Sequence, residues 1–267
     1  MGELMKDVLV IGAFGGMGRA TVKALGDKGF RVFALDKKID GICENCVPIE
    51  ADITSAESVD NALELVKKYT DRLYAVIHFA GIYMLDSLAE ISDESFRRII
   101  DVNLRGAFLV NKAFLPMLKK GSRIIITTSE LATLDPLPFT GIYAVTKGAL
   151  DKYACSLRME LQLLGISVSV LRAGAVDTGM LGASTEALER FCENTKLYTC
   201  NADRFKRIVG RVEARCVSPT KIANKALKIL EKRYPAFAYS INRNPLLLLL
   251  NALPKRIQLW AIRTVLR

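Results

Sequence analysis

Tyr143-Ala-Val-Thr-Lys147 is the part of this sequence best suited to proton chemistry. On a helix, i and i+4 side chains share a face one turn apart, so the phenol and the ammonium would be neighbours. A free tyrosine titrates near ~10 and is a poor base at neutral pH. An adjacent ammonium favours the phenolate, so the pair reads as a general acid/base with Tyr143 depressed by Lys147. An ordinary amphipathic helix would show the same spacing. Two further residues give it company. Ser129 closes an apolar run and can hold a substrate oxygen beside the phenol. Asn103 sits mid-helix, where its amide has weak propensity.

A second group of residues suits a dinucleotide. Val8 to Ile11 runs into Gly12, and Gly16, Met17 and Gly18 follow at the start of a helical pattern. Glycines serve where the chain turns tightly and where a pyrophosphate must approach the backbone, and the helix N-terminus offers it free N–H groups. A purely structural glycine turn is the plainer reading of the spacing taken alone. Asp36, at the end of the next apolar run, can accept hydrogen bonds from ribose hydroxyls and would repel a 2′-phosphate. NAD is therefore expected over NADP, although Lys37 and Lys38 follow at once. Asp52 is placed for an adenine edge or for a helix N-terminal turn. Ile53 beside it is counted with the cofactor contacts.

The elements that must carry these residues follow from patterning. Val8–Ile11, Arg31–Leu35, Val47–Ile49, Ala75–Phe79, Arg123–Thr127, Ser167–Leu171 and Ala236–Ile241 read as strands. Most are continuous apolar runs, as parallel sheets covered on both faces require. Met17–Lys28, Ala56–Lys68, Asp93–Lys119, Ile142–Leu164 and Pro219–Arg233 read as helices. Such alternation predicts an α/β fold, doubly wound and Rossmann-type, with a mostly parallel seven-stranded sheet in one domain spanning 1–244. Residues 178–217 break the rhythm and are expected to be an irregular insertion covering the ligand crevice.

Bulk properties set limits. A chain of 267 residues that is 51% apolar can bury one large core. Its net charge of +10 is concentrated in 204–233 and 255–267, without a nucleic-acid-binding motif, so no nucleic-acid partner is expected. No signal peptide is apparent and six cysteines occur, so free thiols and a cytoplasmic location are expected. Cys43-Glu-Asn-Cys46 has metal or redox spacing but no second ligand pair, and no metal site is expected. Segment 245–267 is apolar and basic. Leu246–Leu250 is too short to span a bilayer, which needs roughly 20 apolar residues. In Pro254–Arg267, Ile257, Trp260, Ala261 and Val265 fall near one side of a helix. Packing of that side on the fold or on a second subunit is the favoured reading; peripheral membrane contact is the alternative.

Taken together, these motifs resemble the short-chain dehydrogenase/reductase family over residues 6 to about 240. Gly12, Gly16 and Gly18 match its glycine motif, and His78-Phe79-Ala80-Gly81 loosely matches its N-N-A-G element. Asn103, Ser129, Tyr143 and Lys147 match its tetrad in order, and Arg172-Ala-Gly-Ala-Val-Asp-Thr178 matches the element that closes over the nicotinamide. The resemblance adds Ala80, Gly81, Val176 and Thr178 to the cofactor contacts. It implies that Lys147 holds the nicotinamide ribose, that Tyr143 exchanges a proton with the substrate oxygen, that Ser129 orients that oxygen, and that Asn103 anchors a relay water. It also implies a dimer or tetramer. The chain departs from the pattern at Ile11, His78, Phe79 and Ala173, and Ser129 lies one residue further from Tyr143 than is usual. The first departures suggest a loosened hydrogen-bond network around the central strand.

The layout resembles the hydroxysteroid and retinol dehydrogenase branch. The expected activity is interconversion of a secondary alcohol and a ketone on a small hydrophobic substrate. A non-catalytic nucleotide sensor on the same fold is the alternative, against which the complete tetrad stands. A sugar-nucleotide epimerase would need a larger substrate region than 178–217.

Overall fold

A computed structural model describes residues 5–41, 46–212 and 216–267. Seven strands form one sheet: β1 (Asp7–Ile11), β2 (Arg31–Asp36), β3 (Cys46–Glu50), β4 (Leu73–His78), β5 (Leu118–Ser129), β6 (Ser167–Ala173) and β7 (Ala238–Ile241). Their order is β3-β2-β1-β4-β5-β6-β7, and every pairing is parallel. The sheet is thus wholly, not mostly, parallel. The chain winds outward from β1 to β3, then returns to lay β4 on the other side of β1. The carboxyl ends of strands beside such a reversal leave a crevice open to ligands.

The apolar runs are continuous because both faces are covered. Leu9 and Ile11 pack in one cluster with α2 (Ala56–Lys67), α4 (Gly106–Phe114) and α5 (Gly141–Leu161). Val8 and Val10 pack in the other with α1 (Gly16–Gly26) and α8 (Pro219–Glu231). Local signals set several helix starts. Ser55 caps α2 by accepting from Ser58 N, and Ser92 caps α3 (Asp93–Ile100) by accepting from Ser95 N.

Three expectations need correction. The single helix expected over Asp93–Lys119 is α3 and α4 joined by a π-helical turn at Asp101–Arg105. It stops at Phe114, two residues before Pro116, which lacks an amide hydrogen and restricts the residue preceding it. Residues 178–217 are not irregular. They contain α6 (Gly179–Asn194) and α7 (Thr199–Val212), whose apolar positions Leu188, Phe191, Ala202, Phe205 and Val209 follow helical spacing. Helices α9 (Pro245–Ala252) and α10 (Lys255–Leu266) follow β7. Cys155, Cys192 and Cys200 are free thiols, as expected. Cys46 is disulfide-bonded, against the expectation of a free thiol, and Cys43 lies outside the described residues. Among the described residues no helix is long and apolar enough to cross a membrane.

Candidate active site

The turn between β1 and α1 has the shape a dinucleotide requires. Gly12 takes φ +76°, and a Cβ there would lie 2.5 Å from the Ala80 nitrogen, so the first turn is pressed against the end of β4. A Cβ on Gly16 would meet the Thr178 side chain at 2.7 Å, so the loop after β6 closes directly on the turn. α1 starts from Gly15 with no side-chain cap, which leaves its first N–H groups for an anionic ligand. Asp36 holds this turn in place: it accepts from Phe14 N and Lys37 N, each at 2.8 Å.

The lysine beside Asp36 is committed elsewhere. Lys37 Nζ lies 2.7 Å from Asp52 Oδ2. Asp52 also accepts from the amide and hydroxyl of Thr54, at 2.9 and 2.7 Å. The Lys37 and Thr54 contacts, against a smaller opposing effect of burial, hold the Asp52 carboxyl down at about 2. Asp52 therefore anchors the start of its own turn, the plainer of its two sequence readings, while still lining the crevice.

Tyr143 and Lys147 lie on α5, both inward, at 8% and 4% exposure. Lys147 Nζ sits 5.7 Å from the Tyr143 ring centre and 3.4 Å from the Thr127 carbonyl oxygen. A Cβ on Gly81 would lie 3.2 Å from that Nζ and 3.3 Å from Asn103 Oδ1, so the glycine after Ala80 lets the ammonium and the amide approach. Asn103 lies in the π-helical turn and is not solvent-facing. Its amide accepts from Ile82 N at 2.8 Å and donates to Ile82 O and Thr146 Oγ1, at 2.9 and 3.1 Å. Asn103 thus ties the loop following β4 to α5, one residue from Lys147.

The electrostatics differ from the expectation. Burial pushes the Tyr143 phenol up to about 12, against a downward pull from the Ser129 hydroxyl. Burial pulls Lys147 down to about 8. Withdrawal from water disfavours both charged forms and outweighs the depression of Tyr143 expected from its neighbour. In this state the phenol holds its proton firmly, which suits an acid.

A cavity of about 1020 Å³ runs from Asp36 past the glycine turn to α6. Gly12, Gly16, Met17, Gly18, Asp36, Asp52 and Ile53 line one end; Ala80, Gly81 and Thr178 line the middle. The space and the bare helix end fit an extended dinucleotide. Val176 is not on the wall: it is buried and bridges to Val217. Asn103, Ser129, Tyr143 and Lys147 stand directly behind the wall: Lys147 Nζ and Asn103 Oδ1 lie against Gly81, Ser129 bonds Tyr143, and Tyr83, on the wall, has its ring centre 4.9 Å from that of Tyr143.

Several contributors escaped the sequence reading. Tyr83 follows the Ala80-Gly81 pair without any local pattern to mark it. Phe139, in the loop between Ser129 and Tyr143, takes φ +67°, a conformation that costs a bulky L-residue energy. Its ring is held by Phe191, Tyr198 and Phe205, at 4.4 to 5.3 Å. Glu90 fastens the α6–α7 turn, accepting from Thr195 Oγ1 at 2.6 Å and from the amides of Lys196 and Leu197. The network expected to be loosened at His78 is instead satisfied: His78 Nε2 lies 2.9 Å from Asn111 Oδ1, and Asn111 donates to the Tyr153 hydroxyl.

Known proteins agree with this arrangement. The short chain dehydrogenase family model matches residues 6–189. Estradiol 17-beta-dehydrogenase 2 of Mus musculus is 34% identical over 190 residues, covering 67% of this chain and 50% of its own. The chain thus spans about half the length of that curated relative. A short chain dehydrogenase family protein from Francisella tularensis superposes with TM-score 0.74 at 24% identity, over 89% of this chain and 97% of the other. A short chain dehydrogenase from Burkholderia cenocepacia J2315, solved in complex with NADP, gives TM-score 0.74 at 23% identity, with 96% of each chain covered. With its glycine turn, wholly parallel sheet and matching relatives, this chain belongs to the short chain dehydrogenase family.

Proposed function

We propose that this chain interconverts a secondary alcohol and a ketone on a hydrophobic substrate, with NAD as the preferred cofactor and Tyr143 as acid/base. The observation that carries the reading is the gathering of Ser129, Tyr143, Lys147 and Asn103 behind Gly81, against a cavity that begins at the glycine turn. When bound, the nicotinamide supplies or accepts the hydride. Tyr143 gives its proton to the ketone oxygen, or takes it from the alcohol, while the Ser129 hydroxyl orients that oxygen. Lys147 would hold the nicotinamide ribose. Asn103 keeps Ile82 and α5 in register, so that Gly81 and Lys147 stay in contact.

NAD is supported by Asp36, whose carboxylate lines the cavity, and by Lys37, which is held on Asp52. A 2′-phosphate would meet the carboxylate without that lysine's help. A hydrophobic substrate is supported by the aromatic packing of α6 and α7 around Phe139 and by the apolar wall residues Met84, Leu85 and Phe191. A hydroxysteroid or similar lipid-like alcohol has the size and polarity for that wall.

The test is nicotinamide absorbance across steroids, retinoids and aliphatic alcohols with NAD and NADP in parallel. Turnover is expected with a hydrophobic secondary alcohol and is expected to be faster with NAD. Tyr143→Phe should lower kcat by on the order of 10²- to 10⁴-fold and leave cofactor affinity nearly intact. Full turnover in that variant would remove Tyr143 from its role.

A further inference from the structure

Helices α9 and α10 turn much of their apolar surface to solvent. The side chain that α10 buries best is polar: Gln258, at 2% exposure, beside Asp135. Leu266 packs on the apolar cluster of α6 and α7 and Leu247, Leu248 and Leu250 are half-buried, but the hydrogen bonds and the ion pair that hold the two helices down are polar contacts of side chains. Asn251 Oδ1 accepts from Asp135 N at 2.6 Å, Lys255 Nζ lies 2.6 Å from Asp135 Oδ1, and Asn201 donates to Leu266 O at 2.7 Å. Several large apolar side chains nevertheless point outward: Leu246 is 59% exposed, Leu249 65%, Ile257 48% and Trp260 66%. Of the stripe read from the sequence, only Ala261 turns partly inward. A helix in water presents the opposite arrangement, and contiguous exposed apolar side chains mark a contact surface.

Charge selects the occupant. From Lys232 to Arg267 the sequence contains no Asp or Glu. Lys255 is paired with Asp135, but Arg256, Arg263 and Arg267 have no ion-pair partner among the described residues. A second copy docked face to face would bring the same unneutralised arginines together. An anionic lipid headgroup layer would neutralise them and accept the leucines and the tryptophan at its acyl boundary. With eight and twelve residues, neither helix is long enough to span.

We propose that α9 and α10 lie in the surface of an anionic bilayer, with Leu246, Leu249, Ile257 and Trp260 inserted and Arg256 and Arg263 on the headgroups. Trp260 is the only tryptophan, so its emission reports the contact directly. The full chain is sedimented with phosphatidylcholine vesicles, alone or mixed equally with phosphatidylglycerol. The expected result is co-sedimentation with the anionic vesicles, a blue shift of Trp260 emission, and release by high salt. Arg256→Gln and Arg263→Gln should each weaken binding about fivefold. Leu246→Ser with Leu249→Ser should weaken it by more than tenfold and leave the circular dichroism unchanged. Failure to bind anionic vesicles at low salt overturns the proposal. So does a blue shift that follows protein concentration without vesicles and disappears in the leucine variant, which would assign the face to a second copy.

Discussion

At the scale of single residues, the buried polar side chains carry the sharpest consequences. His78 is 4% exposed, and burial pulls its pKa down to about 4, with the Asn111 hydrogen bond opposing. In the unfolded chain the imidazole takes a proton near its ordinary 6.5; in the folded chain it stays neutral until about 4. The unfolded state therefore binds the extra proton as pH falls through that window. The resulting loss of stability is absent above 6.5 and grows to roughly 3 kcal/mol at pH 4, at ~1.36 kcal/mol per unit. His78→Asn should flatten that part of a urea-unfolding pH profile; a variant with the same acid slope as wild type would show that another group is responsible. Tyr143, Lys147, Ser129 and Asn103 were legible because their types and order repeat a family pattern. What each touches was not. Nothing near Asp52 announced that Lys37 and Thr54 would occupy its carboxylate, and nothing marked Tyr83 as the ring covering Tyr143.

At the scale of elements, α5 is the part that must not move, and it is pinned away from the chemistry. Arg172 on β6 grips Asp151 on α5 through two hydrogen bonds, at 2.9 and 2.8 Å, and Thr128 adds a third at 3.2 Å. Asp151 is one turn beyond Lys147. Removing one partner of a buried ion pair leaves the other uncompensated and costs about 3 kcal/mol or more. Asp151→Ala should lower Tm and should also reduce kcat, because the helix bearing Tyr143 loses its hold on β6. Pairing it with Arg172→Met should recover Tm. Unchanged kcat in the single variant would show that α5 is held adequately by packing alone. Strands and long helices were readable from periodicity. The π-helical turn was not, since its cause is tertiary: Asn103 bonds Ile82 and Thr146 across the fold. The helices of 178–217 were hidden by charge, although Leu188/Phe191 and Ala202/Phe205/Val209 carry the period.

At the scale of the whole molecule, the sheet gathers the glycine turn, Ser129 and the start of α5 at the carboxyl ends of its strands, and α6 closes over them from the side. The C-terminal segment does more than lie on the surface. Glu130, next to Ser129, accepts from Asn244 N at 2.7 Å, and Asp135 is gripped by Asn251 and Lys255. The loop that sets the distance from Ser129 to Tyr143 is therefore scaffolded by the same segment that turns its leucines outward. Shortening the chain after residue 244 would leave Asp135 without its partners as well as removing the apolar face. Such a protein should lose turnover toward water-soluble substrates with no lipid in the assay, whereas the surface changes at Leu246 and Leu249 should spare it. The same short segment is thus both brace and outer face: what steadies the loop ahead of Tyr143 also carries the leucines.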